Sequence, residues 1–217
     1  MVRLMTSPIV ARERARCEIV DAASALFAEH GYAGASMRDL ARKTHRSLAS
    51  FYLYFSSKED LLFAVHARAF GALIASAEAA VETTREPQAR LRAFILSHVR
   101  YVADHPDVMR VLIHEVGVLP PEHRRVVREY KDRYFAIGRG LVAAILPDDP
   151  IADAAEVERC AYTVFGMINW AWSWYDESRH GSPEQVATTL HRVAVHGLTG
   201  AYASRRPSQP TRPTELP

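Results

Sequence analysis

Cysteine is nearly absent from these 217 residues: there are two, Cys17 and Cys160, far apart in the chain. That excludes a disulfide framework and fits a reducing compartment. No apolar stretch runs unbroken for the ~18–20 residues that a membrane span requires. The first residues lack the charged lead and apolar run of a secretion signal. The expected setting is therefore the cytoplasm, with no membrane partner. Gly-Gly and Asn-Gly pairs between alternating apolar runs are also missing, which removes the usual evidence for hairpins and hence for a sheet. Catalytic signatures are equally scarce, with no GxSxG, P-loop, GxGxxG or HExxH motif in the chain. His98, His105, His114 and His123 are scattered at spacings of seven and nine, and each reads as a surface or satisfied core residue. Nothing here implies a catalytic residue, a metal or a cofactor.

What is present reads as helix almost throughout. "RERARCEIVDAASALFAEHG" places Ile19, Ala23, Leu26 and Phe27 on one face and stops at Gly31. Ser36 with Asp39 three positions on opens a second helix in capping-box style. Ser47 caps a short one over 48–54, and a long amphipathic segment follows Ser56-Ser57. Further helices are predicted at about 87–104, 106–115, 121–146, 152–178 and 183–203. They are punctuated by Pro87, Pro106, Pro120-Pro121, Pro147, Pro150 and Pro183. The expectation is an all-α protein of about nine helices with a disordered tail over 205–217, where Pro is frequent and apolar residues few.

The overall charge of +2 hides an asymmetry. Residues 1–58 hold nine basic and five acidic side chains, against eighteen and twenty in the rest. A basic leading quarter suits a nucleic-acid-facing end. Three short helices with a tight turn before the third fit a helix-turn-helix unit, although any small three-helix bundle has the same outline. On the outer face of 46–54, Arg46, Ser47, Ser50 and Tyr52 offer donors, while Leu48 and Ala49 suit a thymine methyl.

"SMRDLARKTHRSLASFYLYFSSKEDLL" resembles the DNA-binding motif of the tetracycline-repressor (TetR) family. There Thr/Ser-x-x-Asp-Ile/Leu-Ala opens the second helix, and Leu-Tyr-x-Tyr/His-Phe followed by Lys-x-x-Leu closes the reading head. The resemblance spans about residues 12–65. It implies that Phe51 and Phe55 anchor the third helix against Leu40 and Leu26, while Tyr52 and Tyr54 face outward to the DNA backbone. Arg38 occupies a position that reads a base in some members, or is a surface charge. Lys58 begins the fourth helix as a phosphate contact, or as a solvated lysine. Three positions depart from the pattern, one of them Leu48, where a polar residue is usual. His45 stands where Gly is usual, although His tolerates a left-handed backbone. Arg46 replaces an aliphatic residue and is either an extra DNA contact or a solvated charge.

Beyond the head, "CAYTVFGMINWAWSWYDESRHGSPEQVA" is apolar nearly all round, so its helix needs burial on two sides. Trp170 and Trp174 share one face, and Trp172 joins Phe165 and Asn169 on the other. In the family the last two helices pair with their copies to form a homodimer, and the inner face lines an effector cavity. The resemblance therefore implies domains at 1–57 and 58–204, a double-stranded DNA operator, and a small hydrophobic effector. Candidate lining residues are Tyr101, Met109, Ile113, Tyr134, Tyr162, Phe165, Asn169 and Trp172. Asn169 reads either as a buried amide contacting an effector or as a satisfied core residue. "HEVGVLPPEHRRVVREYKDRY" and the Asn-Trp-x-x-x-Trp-Tyr stretch are similar to a subgroup controlling fatty-acid or steroid breakdown, several members of which respond to coenzyme A thioesters. Arg124, Arg125, Arg128 and Arg133 then meet ligand phosphates, or form an ordinary solvated face. Two rivals remain: a regulator whose body docks a protein and has no internal cavity, and a helical enzyme with a borrowed head, against which the missing catalytic cluster argues.

Overall fold

The computed structural model describes residues 8–146 and 153–203. Ten helices and two 3₁₀ turns make up these residues, and no strand occurs among them. Their order is α1 (Pro8–Gly34), α2 (Met37–Lys43), α3 (Leu48–Tyr52), α4 (Lys58–Glu82), α5 (Pro87–Asp104), α6 (Pro106–His114), a 3₁₀ turn (Val116–Val118), α7 (Pro121–Ala143), α8 (Ala154–Asn169), a 3₁₀ turn (Trp170–Ser173), α9 (Glu177–His180) and α10 (Pro183–Ala203). The predicted tail at 205–217 and the Pro147 and Pro150 punctuation lie outside the described residues.

Local chemistry explains the element boundaries. Pro87, Pro106 and Pro121 each occupy the first turn of a helix, where the missing N–H costs nothing. Gly31 adopts φ 69° and ends the regular part of α1. Ser36, Ser47 and Ser57 each accept a hydrogen bond from the backbone N–H three residues on, satisfying donors that a helix start leaves orphaned.

α4 is the hub, packing against α1, α5 and α7, while α10 lies along α5 and α6 lies against α1. Contrary to the sequence expectation, α4 is long and apolar enough to cross a membrane by length and composition. More than half of its apolar window is buried inside the bundle, which accounts for that composition. One core runs from Ile19 and Leu26 through Phe51 and Leu61 to Phe94 and Ile168, unbroken across the expected boundary at 57/58. A smaller cluster of Val142, Ala161, Val164, Ala194 and Leu198 joins α7, α8 and α10.

The predicted single helix over 152–178 is corrected. α8 stops at Asn169, the tryptophans occupy a 3₁₀ turn and its exit, and α9 begins separately. Two side chains compete with the helical ladder here. Ser173 Oγ donates to the Trp170 carbonyl at 2.8 Å, and Asp176 caps α9 by accepting from Ser178 N at 2.9 Å.

Candidate nucleic-acid interface and cavity

The turn between α2 and α3 is built from two consecutive caps. His45 N donates to the Arg42 carbonyl at 3.2 Å and Arg46 N to the Ala41 carbonyl at 2.9 Å, the paired bonds of a Schellman closure. That closure needs a left-handed residue, and His45 supplies it with φ 53°. Ser47 then accepts from Ser50 N at 3.1 Å and starts α3. Phe51 and Phe55 are buried beside Leu40 and Leu26, so the five-residue α3 is pinned by aromatics at one face.

The opposite face presents Ser47, Ala49, Tyr52 and Leu53, all exposed, with Ser50 partly so. Arg38 is exposed on α2. Three expected outward residues are placed otherwise. Leu48 and Tyr54 are half-buried against the core. The Arg46 guanidinium donates to Glu18 at 3.0 Å and lies over the Tyr54 ring at 5.8 Å, so it is held in a partly exposed ion pair rather than free. Lys58 is also internally engaged. Its ammonium donates to the carbonyls of Tyr32 and Ala35 at 2.8 and 2.9 Å and sits 4.1 Å from the Tyr32 ring centroid. Tyr32 in turn donates through its hydroxyl to Glu59 at 2.6 Å and through its backbone N–H to Glu115 at 3.0 Å. The Tyr32 hydrogen bond holds the Glu59 carboxyl below its usual range. Leu53 is 72% exposed, an outward apolar side chain that the aromatic residues around it mask in the sequence.

In the body, a cavity of about 360 Å³ is bounded by α4, α5, α6, α7 and α8. Met109, Ile113, Tyr134, Tyr162, Phe165 and Asn169 line it, as predicted, together with Phe70, Leu73, His98, Leu112, Lys131, Asp132 and Phe135. Tyr101 and Trp172 do not. Tyr101 packs on His105 with its pKa pushed up to about 12 by burial, and Trp172 meets His114 edge-on. Asn169 is exposed at the end of α8 rather than buried. Lys131 is half-buried with its ammonium 6.0 Å from the Phe70 ring centroid, and burial lowers its pKa.

Two family models cover most of the chain. One, described as bacterial regulatory proteins of the tetR family, matches residues 19–65, and one described as the tetracyclin repressor-like C-terminal domain matches residues 84–198. The protein belongs to the TetR family. It is a DNA-binding transcription regulator of helix-turn-helix type, in a non-enzymatic family. The fatty acid metabolism regulator protein of Bacillus subtilis is 24% identical over 152 residues, covering 70% of this chain and 78% of its own length. A TetR-family regulator from Bordetella parapertussis superimposes with TM-score 0.78 at 26% identity, over 84% of this chain and 95% of that one. AibR, solved with isovaleryl coenzyme A and operator DNA, superimposes with TM-score 0.70 at 21% identity, over 82% and 97% of the two chains.

The arginine run is an exposed face. Arg125 pairs with Glu129 at 2.9 Å, Arg133 with Glu78 at 2.7 Å, and Arg124 reaches the Gly117 carbonyl at 3.4 Å. None of them lines the cavity. The cation that does is Lys131, which the same stretch of sequence concealed among its neighbours. His98 was legible in principle, since it lies on the α5 stripe of Leu91, Ile95 and Val102 that is buried throughout.

Proposed function

We propose that the protein is a homodimeric repressor that binds a palindromic operator through residues 1–57 and is released when a small acyl effector enters the body formed by residues 58–204. The cavity between α4 and α8 carries this reading. Its walls are mostly apolar and aromatic with a few convergent polar groups, the usual composition of a ligand site. At about 360 Å³ it lies near the low end of the ~300–1,000 Å³ typical of such sites, so it takes the acyl end of a coenzyme A thioester and leaves the nucleotide outside. The fatty-acid role named for the Bacillus subtilis relative and the coenzyme A thioester bound by AibR support the same ligand class.

The dimer is supported by an apolar face left open on α8, the Trp170 turn and α10. Trp170 is 64% and Val193 54% exposed, and a Cβ on Gly166 or Gly197 would meet nothing within 4 Å. Two reading heads in such a dimer engage half-sites about 34–36 Å apart. The place of action is the cytoplasm, on the nucleoid.

Selection of bound fragments from a random DNA pool should return a palindrome. Octanoyl coenzyme A should then release that DNA at the concentration that changes tryptophan emission, since all three tryptophans lie within residues 170–174, next to cavity residue Asn169. Release by no acyl compound, together with capture of DNA as before, would pass the body to the protein-docking alternative.

A further inference from the structure

The cavity lining contains a buried ring nitrogen that makes no hydrogen bond within the protein. His98 on α5 is 1% exposed, and its Nδ1 stands 3.0 Å from Tyr134 Oη on α7. Burial holds the imidazole near 4 and pushes the phenol pKa up, so both groups are neutral at neutral pH. Together they carry two polar hydrogens, and the bond between them uses one. When Tyr134 donates to Nδ1, the second hydrogen sits on Nε2. Yet Nε2 makes no hydrogen bond of acceptable geometry to any protein group. Buried donors in native structures are nearly always satisfied. Both residues line the cavity.

Building on the effector reading above, we propose that His98 Nε2–H donates to the carbonyl oxygen of a bound acyl group, with Tyr134 as the positioning residue that fixes the imidazole tautomer. The neutral donor selects a neutral acceptor. An ionised carboxylate at this depth has no compensating charge on His98, and the cation of the lining is Lys131. The ligand class is therefore a compact thioester, ester or ketone with an apolar skeleton, rather than the free acid.

The test compares octanoyl coenzyme A with S-octyl coenzyme A, the thioether that lacks only the carbonyl, by calorimetric titration of the full chain. The thioester should bind the wild type about fivefold tighter than the thioether, the worth of one neutral hydrogen bond. In His98→Phe the ratio should fall to about one. Tyr134→Phe keeps the ring and frees the tautomer, so it should narrow the ratio without abolishing binding. Should His98→Phe fail to fold, Tyr134→Phe decides alone, and an unchanged ratio overturns the proposal. A wild-type ratio of one, or a full ratio retained in His98→Phe, removes the His98 role and leaves the acyl effector standing. If octanoyl coenzyme A, butanoyl coenzyme A and octanoate all fail to bind the folded wild type, the effector reading falls and takes this inference with it. Octanoate binding as tightly as the thioester also overturns the selection for a neutral carbonyl.

Discussion

Buried imidazoles should make this regulator less stable in acid. His66 and His98 are both held near pKa 4 by burial, against about 6.5 in an unfolded chain. His66 also faces Lys131, which opposes its protonation, and Glu115, which favours it. Between those two values the unfolded chain binds more protons than the folded one, so stability rises with pH across that window. The contribution is complete above about pH 6.5 and is lost as the pH falls toward about 4. His66→Gln retains a side chain that can reach the Leu62 carbonyl, which His66 meets at 3.0 Å, and it should flatten the melting temperature across that range. Equal slopes in the two proteins would exclude His66 as a source. Lys58 makes a second single-residue prediction. Lys58→Ala removes two hydrogen bonds from a cation to carbonyls and should cost about 1–2 kcal/mol in DNA-free thermal unfolding, allowing for partial exposure. Unchanged stability would return Lys58 to the phosphate role. On the DNA side, Arg38→Ala should alter base preference, whereas Tyr52→Phe should weaken all operators alike by about 1 kcal/mol, as competitive binding to sequence variants would reveal.

Elements were legible where capping chemistry and periodicity agreed, and illegible where they parted. α3 follows from Ser47, Phe51 and Phe55, because a cap and two apolar positions four apart fix both its start and its inward face. The helix predicted through 178 failed for a related reason: hydrophobic periodicity cannot register that Ser173 and Asp176 bond their own backbone. Orientation within the head was less legible than its existence, since Arg46 finds Glu18 twenty-eight residues away and no local pattern announces that pair. Most of the cavity candidates were found because middle-helix aromatics tend to meet there. Lys131 and His98 are hard to single out from sequence, because a charge in a basic run and a lone histidine both look ordinary. The closest approach in the body tests this packing. A Cβ on Gly138 of α7 would stand 2.5 Å from the Phe165 ring and 3.3 Å from Phe94. Gly138→Ala should therefore destabilise by about 1–3 kcal/mol through overpacking and push Phe165 into the cavity. Thermal melting and thioester titration should move together, and a stable variant with intact binding would contradict that geometry.

Assembly belongs to the whole molecule, and here the structure redirects the obvious experiment. Ala194 looks like a seam residue from its place near the chain's end, but it is 4% exposed and packs in the α7–α8–α10 cluster. A charge there would break the protomer. Val193 is its exposed neighbour on α10, so Val193→Glu should give folded monomers with weak operator affinity. Sedimentation showing an intact dimer would place the seam elsewhere. Operator affinity should also fall steeply with salt, because each phosphate contact releases counterions.

The grip of Lys58 on the carbonyls of Tyr32 and Ala35 has a mechanical consequence. It ties the end of α1 and the start of α2 to the first residue of α4, so the head follows that end of the helix. α4 has 25 residues and is about 37 Å long at 1.5 Å per residue. Phe70 and Leu73 meet the cavity about 18–22 Å from Lys58 along this arm. A tilt of about 5° pivoting at the cavity moves the clamped end by about 2 Å, and the mirrored motion in a partner makes about 4 Å. Successive base pairs are stacked about 3.4 Å apart. In the dimer proposed above, a ligand that nudges Phe70 and Leu73 would throw the pair of heads out of step by a whole base pair, while each head stays folded.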